Sequence, residues 1–342
     1  MSMDRKDEII QLQMDVISQM TRSNLKRIAD DLWGSSPVSA SVQEERLVQL
    51  EEKPVQAEAE KAEEQAKEAP EKIEDLKKEL AGYIGLDAVK KEVETLINLV
   101  TVQNLRRQNG LPVNDLSLHM VFSGNPGTGK TMIARLMARI YKSLGILSKG
   151  QLVEVDRGGL VAGYVGQTAI KTAEVIEKAK GGVLFIDEAY ALTNRGGNDY
   201  GQEAVDTLLK AMEDNRDDLI VIVAGYTELM EEFVHSNPGL ESRFNRFLHF
   251  PDYTIDEMMA IFDMRCSQNS YTLAEDARPI LRDLLKLKSM DVKGFGNARG
   301  VRNLFESAVT AQANRLSTDT DITKDDLMTL TADDIRACNT AE

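Results

Sequence analysis

The sequence predicts an α/β protein, with a three-layer parallel-sheet domain followed by a smaller all-α domain. From residue 118 to residue 250, short apolar segments alternate with amphipathic segments of roughly 10–15 residues, which indicates strands alternating with helices. One segment, Val-Leu-Phe-Ile at 183–186, is apolar at every position, as expected of a strand buried on both faces of a sheet. From about residue 254 only helical spacing follows, which indicates a second domain.

The chain divides into four predicted segments. Residues 1–33 hold an amphipathic helix over 4–33, whose apolar face would pack on the body of the protein, on a second copy or on another protein. Residues 34–72 are small and charged, which is typical of a linker. Residues 73–253 form the α/β domain, and residues 254–342 form the helical domain.

Each element of the two domains has its own apolar pattern. A helix is expected over about 87–108, before the sheet begins. The predicted strands are 118–122, 152–155, 183–187, 219–224 and 247–250. Helices are predicted at 132–137, 167–180 and 202–214 in the first domain, and at 254–269, 274–289 and 297–316 in the second.

A phosphate-binding loop is predicted between the first strand and the helix that follows it. Residues 124–131 read Gly-Asn-Pro-Gly-Thr-Gly-Lys-Thr and match G-x-x-x-x-G-K-[ST] in the required strand–loop–helix context. Glycines let backbone N–H groups reach phosphate oxygens, Lys130 can reach the β- and γ-phosphates, and the Thr131 hydroxyl can hold Mg²⁺. The expected nucleotide contacts here are Asn125, Pro126, Gly127, Thr128, Gly129, Lys130, Thr131 and Met132. A glycine-rich turn before an ordinary helix can match this string by chance.

A second motif supports nucleotide chemistry. The buried strand at 183–186 ends in two adjacent carboxylates, Asp187 and Glu188. Placing paired charges at the end of a buried strand is costly unless they act on something. Asp187 would complete the Mg²⁺ shell, and Glu188 would polarise the attacking water. Together the two motifs predict that the chain binds and hydrolyses a nucleoside triphosphate with Mg²⁺, at the carboxyl ends of the strands.

Composition narrows the class of partner. The formal net charge is −15, which argues against broad binding to the backbone of DNA or RNA. No apolar run approaches the roughly 20 residues that span a bilayer, and no signal-peptide core opens the chain, so a cytoplasmic protein is expected. The two cysteines, Cys266 and Cys338, are expected to be reduced, and the three histidines form no metal pattern.

Over about residues 75–340 the chain resembles the AAA+ ATPases of the CbxX/CfxQ group, which contains red-type Rubisco activases and stage V sporulation protein K-like ATPases. Besides the two nucleotide motifs, six further segments carry the resemblance. They are Gly-Tyr-Ile-Gly-Leu at 82–86, Tyr-Val-Gly at 164–166, Asp-Glu-Ala-Tyr at 187–190, Asp-Tyr-Gly-Gln-Glu at 199–203, Asn-Pro-Gly-Leu-Glu-Ser-Arg-Phe at 237–244 and Asn-Ala-Arg at 297–299.

The resemblance implies a role for residues outside the two motifs. Ile84 and Gly85 would line the adenine pocket, although an ordinary helix-entry turn would look the same. Arg299 would be the second sensor, with Arg302 on nearly the same helix face as a fallback or a salt-bridge partner. ATP rather than GTP is implied by the resemblance alone.

Two further roles concern the neighbouring subunit and the γ-phosphate. Arg243 would be an arginine finger for the neighbouring subunit, and Arg246 is close enough to compete for that role. A finger acting on another subunit requires an oligomer, which in this family is a ring, usually a hexamer. The first sensor departs from the common Asn, and Thr227 in Ala-Gly-Tyr-Thr at 224–227 is the expected substitute.

The triplet Tyr164-Val165-Gly166 resembles the pore loop of protein-threading AAA+ machines. Tyr164 would grip a polypeptide by packing, and Gly163 and Gly166 would let the loop move. The alternative is a tyrosine that covers the rim of its own domain.

The predicted function is therefore an ATP-driven ring that remodels or partly threads a protein substrate. Rubisco is one candidate substrate, and a sporulation or secretion protein is another. A second hypothesis is a nucleotide-dependent assembly switch that binds partners through residues 4–33. A nucleic-acid loader fits the fold but not the charge.

Overall fold

The computed structural model describes residues 71–113, 116–164, 166–193, 200–318 and 321–339. The predicted amphipathic helix over 4–33 and almost all of the linker over 34–72 lie outside these residues.

The α/β domain contains a five-stranded parallel sheet with the order β2-β3-β4-β1-β5. Its strands are β1 (Met120–Gly124), β2 (Leu152–Val155), β3 (Val183–Ile186), β4 (Ile220–Gly225) and β5 (Arg246–Phe250). Its helices are α1 (Ile73–Gly82), α2 (Asp87–Gln108), α3 (Lys130–Ser143), α4 (Arg157–Leu160), α5 (Gln167–Ala179), α6 (Gly201–Asp214), α7 (Thr227–His235) and α8 (Pro238–Arg243), with a 3₁₀ helix at Ala189–Thr193.

Two apolar cores lie on opposite faces of the sheet, because successive side chains of a strand point to opposite faces. Phe122, Phe185 and Ile222 belong to the core that also holds the apolar residues of α2 and α3. Val121 and Val223 belong to the core that holds those of α6 and α7. Strands β1, β3 and β4 are buried at every position, so the predicted three-layer parallel architecture is confirmed.

The second domain is built mainly of helices. They are α9 (Ile255–Gln268), α10 (Ala277–Lys288), α11 (Val292–Phe295), α12 (Ala298–Leu316), α13 (Lys324–Met328) and α14 (Ala332–Ala337). Helix α9 begins with a capping box, in which Thr254 and Glu257 satisfy each other's backbone N–H groups. The domain also contains a short parallel pair of β6 (Thr272–Leu273) with β7 (Thr329–Leu330), which the helical spacing of the sequence does not predict.

The first strand begins two residues later than predicted. The buried His119 precedes it, and the Nδ1 atom of its ring accepts a hydrogen bond from the backbone N–H of Val221 at 3.0 Å. At this point a side-chain nitrogen accepts the hydrogen bond that a backbone carbonyl would accept in a continuous strand ladder. Among the described residues, no helix is both long and apolar enough to cross a membrane.

Candidate nucleotide site

A cavity of about 600 Å³ opens at the carboxyl ends of β1, β3 and β4, where the sheet meets the second domain. Four parts of the chain line it: the loop before α3, the carboxylates after β3, the end of β4 and the second domain. The lining residues used below are Gly127, Lys130, Thr131, Asp187, Glu188, Tyr226, Arg265 and Arg299. The predicted position at the strand ends is therefore where the structure has a cavity.

The loop at 124–131 holds its lysine in a fixed place. Gly127 and Gly129 have φ of +71° and +97°, which residues with a Cβ rarely adopt. The Nζ atom of Lys130 donates to the carbonyl oxygens of Gly124 and Asn125, at 2.8 Å each. Burial lowers the pKa of the Lys130 ammonium, while the nearby Asp187 acts to raise it and Arg299 to lower it. This partly desolvated cation is suited to bind a phosphate group.

The two predicted carboxylates turn at the end of β3. The Asp187 carboxylate accepts the backbone N–H of Glu188 at 3.0 Å, and Glu188 has a φ of +50°. The left-handed backbone leads the chain from the strand into the 3₁₀ helix, with the Glu188 side chain exposed in the cavity lining. Burial, followed by the charge of Glu188, raises the pKa of Tyr190 to about 12, so this tyrosine is a protonated neighbour of that carboxylate.

Thr131 and Asp187 both line the cavity, and a hydroxyl with a carboxylate is a ligand set that fits Mg²⁺. The Thr131 hydroxyl donates to Glu154 at 3.4 Å, and Arg135 donates to the same carboxylate at 3.1 Å. In the described ranges, no cluster of three or more acidic, histidine or cysteine side chains forms a metal site. Few protein ligands are typical of Mg²⁺ in phosphoryl-transfer sites, where phosphates complete the shell.

Three arginines of the second domain line the cavity: Arg265, Arg299 and Arg302. Arg302 pairs with Glu306 through a contact of 2.7 Å, which matches the salt-bridge alternative. Sequence reasoning missed Arg265, whose buried Nε has no hydrogen-bond partner among the described residues. No motif marks this position, because its place depends on how α9 packs over the loop.

Arg243 and Arg246 lie outside the lining of their own chain's cavity. Arg243 is the last residue of α8 and contacts the Glu213 carboxylate at 3.3 Å. The Nε of Arg246 donates to the Ser117 carbonyl at 3.1 Å. Arg243 therefore does not line the cavity of its own chain, and its role as an arginine finger stays a prediction.

Comparisons with known proteins identify the family of the two domains. Residues 120–252 match the family model for ATPases associated with various cellular activities (AAA), and residues 254–342 match that of the AAA lid domain. Over 266 residues the chain is 41% identical to stage V sporulation protein K of Bacillus subtilis (strain 168), covering 77% of this chain and 82% of that protein. It is 45% identical over 268 residues to the chromosomal protein CbxX of Cupriavidus necator, covering 78% and 83%.

The chain belongs to the AAA ATPases, in the CbxX/CfxQ group. A further relative is the chloroplastic ribulose bisphosphate carboxylase/oxygenase activase of Cyanidioschyzon merolae, at 43% identity over 266 residues, 77% of this chain and 89% of that protein. The crystal structure of the FIGL-1 AAA domain in complex with ADP has a TM-score of 0.55 at 20% identity, covering 77% and 84%, and supports the fold alone. As an AAA ATPase, the protein binds ATP, and its second domain is the AAA lid.

Tyr164 lies in the loop between α4 and α5 and is 74% exposed. The base of the loop is held, since the Ala162 N–H donates to Thr168 at 3.0 Å and the Lys171 ammonium donates to the Val161 carbonyl at 3.2 Å. At Gly166, φ is +78° and a Cβ would meet no atom within 4 Å. This exposure disagrees with a tyrosine that covers the rim of its own domain. Val165 lies outside the described residues.

The remaining predicted residues, Ile84, Gly85 and Thr227, lie outside the cavity lining. Ile84 and Gly85 form the turn between α1 and α2, where a Cβ on Gly85 would meet Glu257 and Tyr253. Neither residue is in the lining, so the adenine role stays a prediction. Tyr226 lines the cavity, whereas Thr227 begins α7 behind it. Tyr226 is a second candidate for the first sensor that sequence reasoning did not consider.

Proposed function

We propose that this AAA ATPase is an ATP-driven ring motor that remodels a protein substrate, or threads part of it, through a central pore. The observation that carries the proposal is the exposed aromatic side chain of Tyr164, on a loop with a held base and a glycine at its far end. An exposed tyrosine can grip successive polypeptide segments by packing, largely without regard to sequence.

The proposed ATP cycle assigns each site residue a task. The loop N–H groups and Lys130 bind the phosphates, and Glu188 accepts the proton of the attacking water. Thr131 and Asp187 hold Mg²⁺, which when bound neutralises part of the phosphate charge. Thr227, the residue chosen from the sequence, or Tyr226, which lines the cavity, senses the γ-phosphate.

Two arginines complete the proposed site: one comes from the lid of the same subunit, and the other comes from the neighbouring subunit. Arg299 brings a lid charge to the γ-phosphate in the same subunit. Arg243 reaches the phosphates of the next subunit, where a guanidinium stabilises the spread charge of phosphoryl transfer. The proposal therefore requires a ring, with a hexamer as the expected form.

A protein is the favoured substrate because the net charge of −15 opposes binding to nucleic acid. One relative's name is ribulose bisphosphate carboxylase/oxygenase activase and another's is a sporulation protein. Rubisco is thus one candidate substrate, and a protein of a sporulation or secretion process is the other.

The experiment is a substrate trap in lysate of the source organism. Glu188→Gln is expected to bind ATP and to hydrolyse it at least about 10²-fold more slowly, because a general base contributes that much. It is purified with ATP beside Glu188→Gln/Tyr164→Ala and Glu188→Gln/Tyr164→Phe, and bound proteins are identified by mass spectrometry.

A threading motor predicts a protein held by Glu188→Gln and by the Tyr164→Phe double variant but lost from the Tyr164→Ala one. Recovery of the Rubisco large subunit in this pattern would name the substrate. Proteins held equally by all three variants would contradict threading. If deletion of residues 1–70 then released them, the nucleotide-dependent assembly switch would replace the motor.

A further inference from the structure

The side chain of Asn297 joins three parts of the molecule. Asn297 directly precedes α12 and is 1% exposed. Its Oδ1 accepts the backbone N–H of Tyr253 at 3.0 Å, at the point where the α/β domain ends and the lid begins. Its Nδ2 donates to the Pro126 carbonyl in the phosphate loop at 3.2 Å and to Asp252 at 2.8 Å. One buried amide at the start of α12 in the lid is therefore hydrogen-bonded both to the phosphate loop and to the junction between the two domains.

Asp252 extends this network back to the phosphate loop. The Nδ2 of Asn125 donates to both carboxylate oxygens of Asp252, at 3.0 and 2.9 Å. A backbone bond runs beside it, from the Ala298 N–H to the Gly127 carbonyl at 3.2 Å. The loop is thus tied to the first turn of α12 by two side-chain routes and one backbone bond.

The backbone of Asn297 indicates that its side chain is needed. Its φ is 52° and its ψ is −127°, a combination that favours glycine and strains a residue with a Cβ. Glycine would relieve this strain but would lack the amide. The surrounding hydrogen bonds therefore hold Asn297 in a conformation that its own backbone disfavours.

We infer that Asn297 is a positioning residue that makes the place of Arg299 depend on the phosphate loop. Arg299 lies two residues further along, in the cavity lining. When phosphates bind and the loop backbone adjusts, the bonds from Pro126 and Asp252 pass the change through Asn297 to the start of α12. By reciprocity, the placed lid strengthens nucleotide binding. This inference rests on the proposed role of Arg299 and needs no pore threading.

The test compares Asn297→Gly with Asn297→Ala in the full-length protein. Asn297→Gly removes the hydrogen bonds and also the backbone strain, so its resistance to urea should match or exceed that of Asn297→Ala. Both should weaken binding of a fluorescent ATP analogue by about tenfold, a typical size for coupling between sites. Asn314→Ala, at an exposed position of the same helix, is the control and should bind like the parent protein.

A double-mutant cycle with Arg299→Ala separates positioning from general stability. If Asn297 acts through Arg299, then Arg299→Ala should weaken binding of the analogue much less in the Asn297→Gly background than in the parent. Fully additive losses, or unchanged affinity in Asn297→Gly, would overturn the inference.

A second variant keeps the test decisive if Asn297→Gly does not fold. Asp252→Asn has nearly the same volume but offers only one acceptor to the two amides that face it, and the same non-additivity with Arg299→Ala is expected. Because the readout is nucleotide affinity, a failed substrate trap would contradict the motor while leaving this result intact. If Arg299→Ala alone left affinity unchanged, both this inference and the proposed role of Arg299 would be wrong.

Discussion

At the scale of single residues, His119 links the sheet to the segment that carries Arg243. Its Nδ1 accepts the Val221 N–H, and its ring stands 6.2 Å from that of Phe244 in an edge arrangement. Burial, and then the charge of Arg243, lowers the pKa of His119 to about 4. The ring is therefore neutral at physiological pH, and protonation would replace the acceptor with a donor facing an N–H group.

This pKa makes stability depend on pH in a defined direction. The folded-state pKa of about 4 lies below the ordinary value of 6.5, so the unfolded chain binds the proton first as pH falls. The stabilisation is present above pH 6.5 and is lost progressively down to about 4, by at most about 3 kcal/mol. Urea unfolding between pH 7.5 and 4.5 should show a smaller loss in His119→Asn, which keeps an acceptor without titrating.

His235→Asn is the matched control for this measurement. His235 is exposed at the end of α7 and lies 3.5 Å from the Glu241 carboxylate. Its replacement should leave the pH dependence close to that of the parent protein. An equal pH dependence in His119→Asn and in the parent would show that His119 does not titrate in this way.

At the scale of elements, the phosphate loop and the start of α12 approach more closely than side chains allow. A Cβ on Gly127 would lie 2.0 Å from the carbonyl oxygen of Gly296. Gly296 itself has a φ of +73°. The absence of a side chain at Gly127 lets the start of α12 reach the loop backbone. At Gly296 it is the positive φ that favours glycine, because a Cβ there would meet only the Cβ of Arg299, at 3.9 Å.

Gly127→Ala should therefore lower the free energy of unfolding by more than the strain of its positive φ alone would cause. Gly145, after α3, is the matched control because its φ of +72° is almost the same as the +71° of Gly127, yet a Cβ there meets nothing within 4 Å. Gly145→Ala should lower the free energy of unfolding by about 1–3 kcal/mol. Gly127→Ala should lower it further in urea unfolding and should weaken binding of a fluorescent nucleotide. An equal loss of unfolding free energy in the two variants would contradict the close contact between the loop and the lid at Gly127.

At the scale of the whole molecule, the proposed ring requires Arg243 to reach the site of a neighbouring subunit. In its own chain Arg243 contacts Glu213 and lies outside the cavity lining. Head-to-tail interfaces repeat around a closed ring, so each subunit can give a finger to one neighbour and receive one from the other.

Mixing two inactive variants tests this arrangement. Arg243→Ala and Glu188→Gln should each lower ATP turnover by about 10²-fold or more. In rings mixed at equal amounts, a subunit with intact Glu188 meets an intact Arg243 at roughly a quarter of the interfaces, so ATP turnover should recover towards that fraction.

Arg216→Ala is the control, because Arg216 also contacts Glu213, at 2.9 Å, on an exposed surface. It should keep ATP turnover near that of the parent, which would exclude loss of the Glu213 contact as the cause. Turnover in the mixture that stays at the mean of the two variants would argue for a finger acting within one chain.

The sequence alone determined the features that depend on residues close together in the chain, namely individual strands and helices and the phosphate loop. The strand at 183–186 and the helix over 87–108 follow from local apolar spacing, which reports burial directly. The phosphate loop was readable because its glycines and Lys130 act within one short segment. The resemblance added the lid and the group to which the chain belongs.

Only the tertiary structure decided which distant residues meet at the site. Asn125 and Asp252 are 127 positions apart, and Asn297 and Pro126 are 171 apart, so no local pattern encodes their hydrogen bonds. Arg265 in α9 and Tyr226 directly after β4 also line the cavity, and no local pattern predicts this for either residue. Local spacing determines which face of an element is buried, whereas the partner that a polar group meets depends on how the chain folds back on itself.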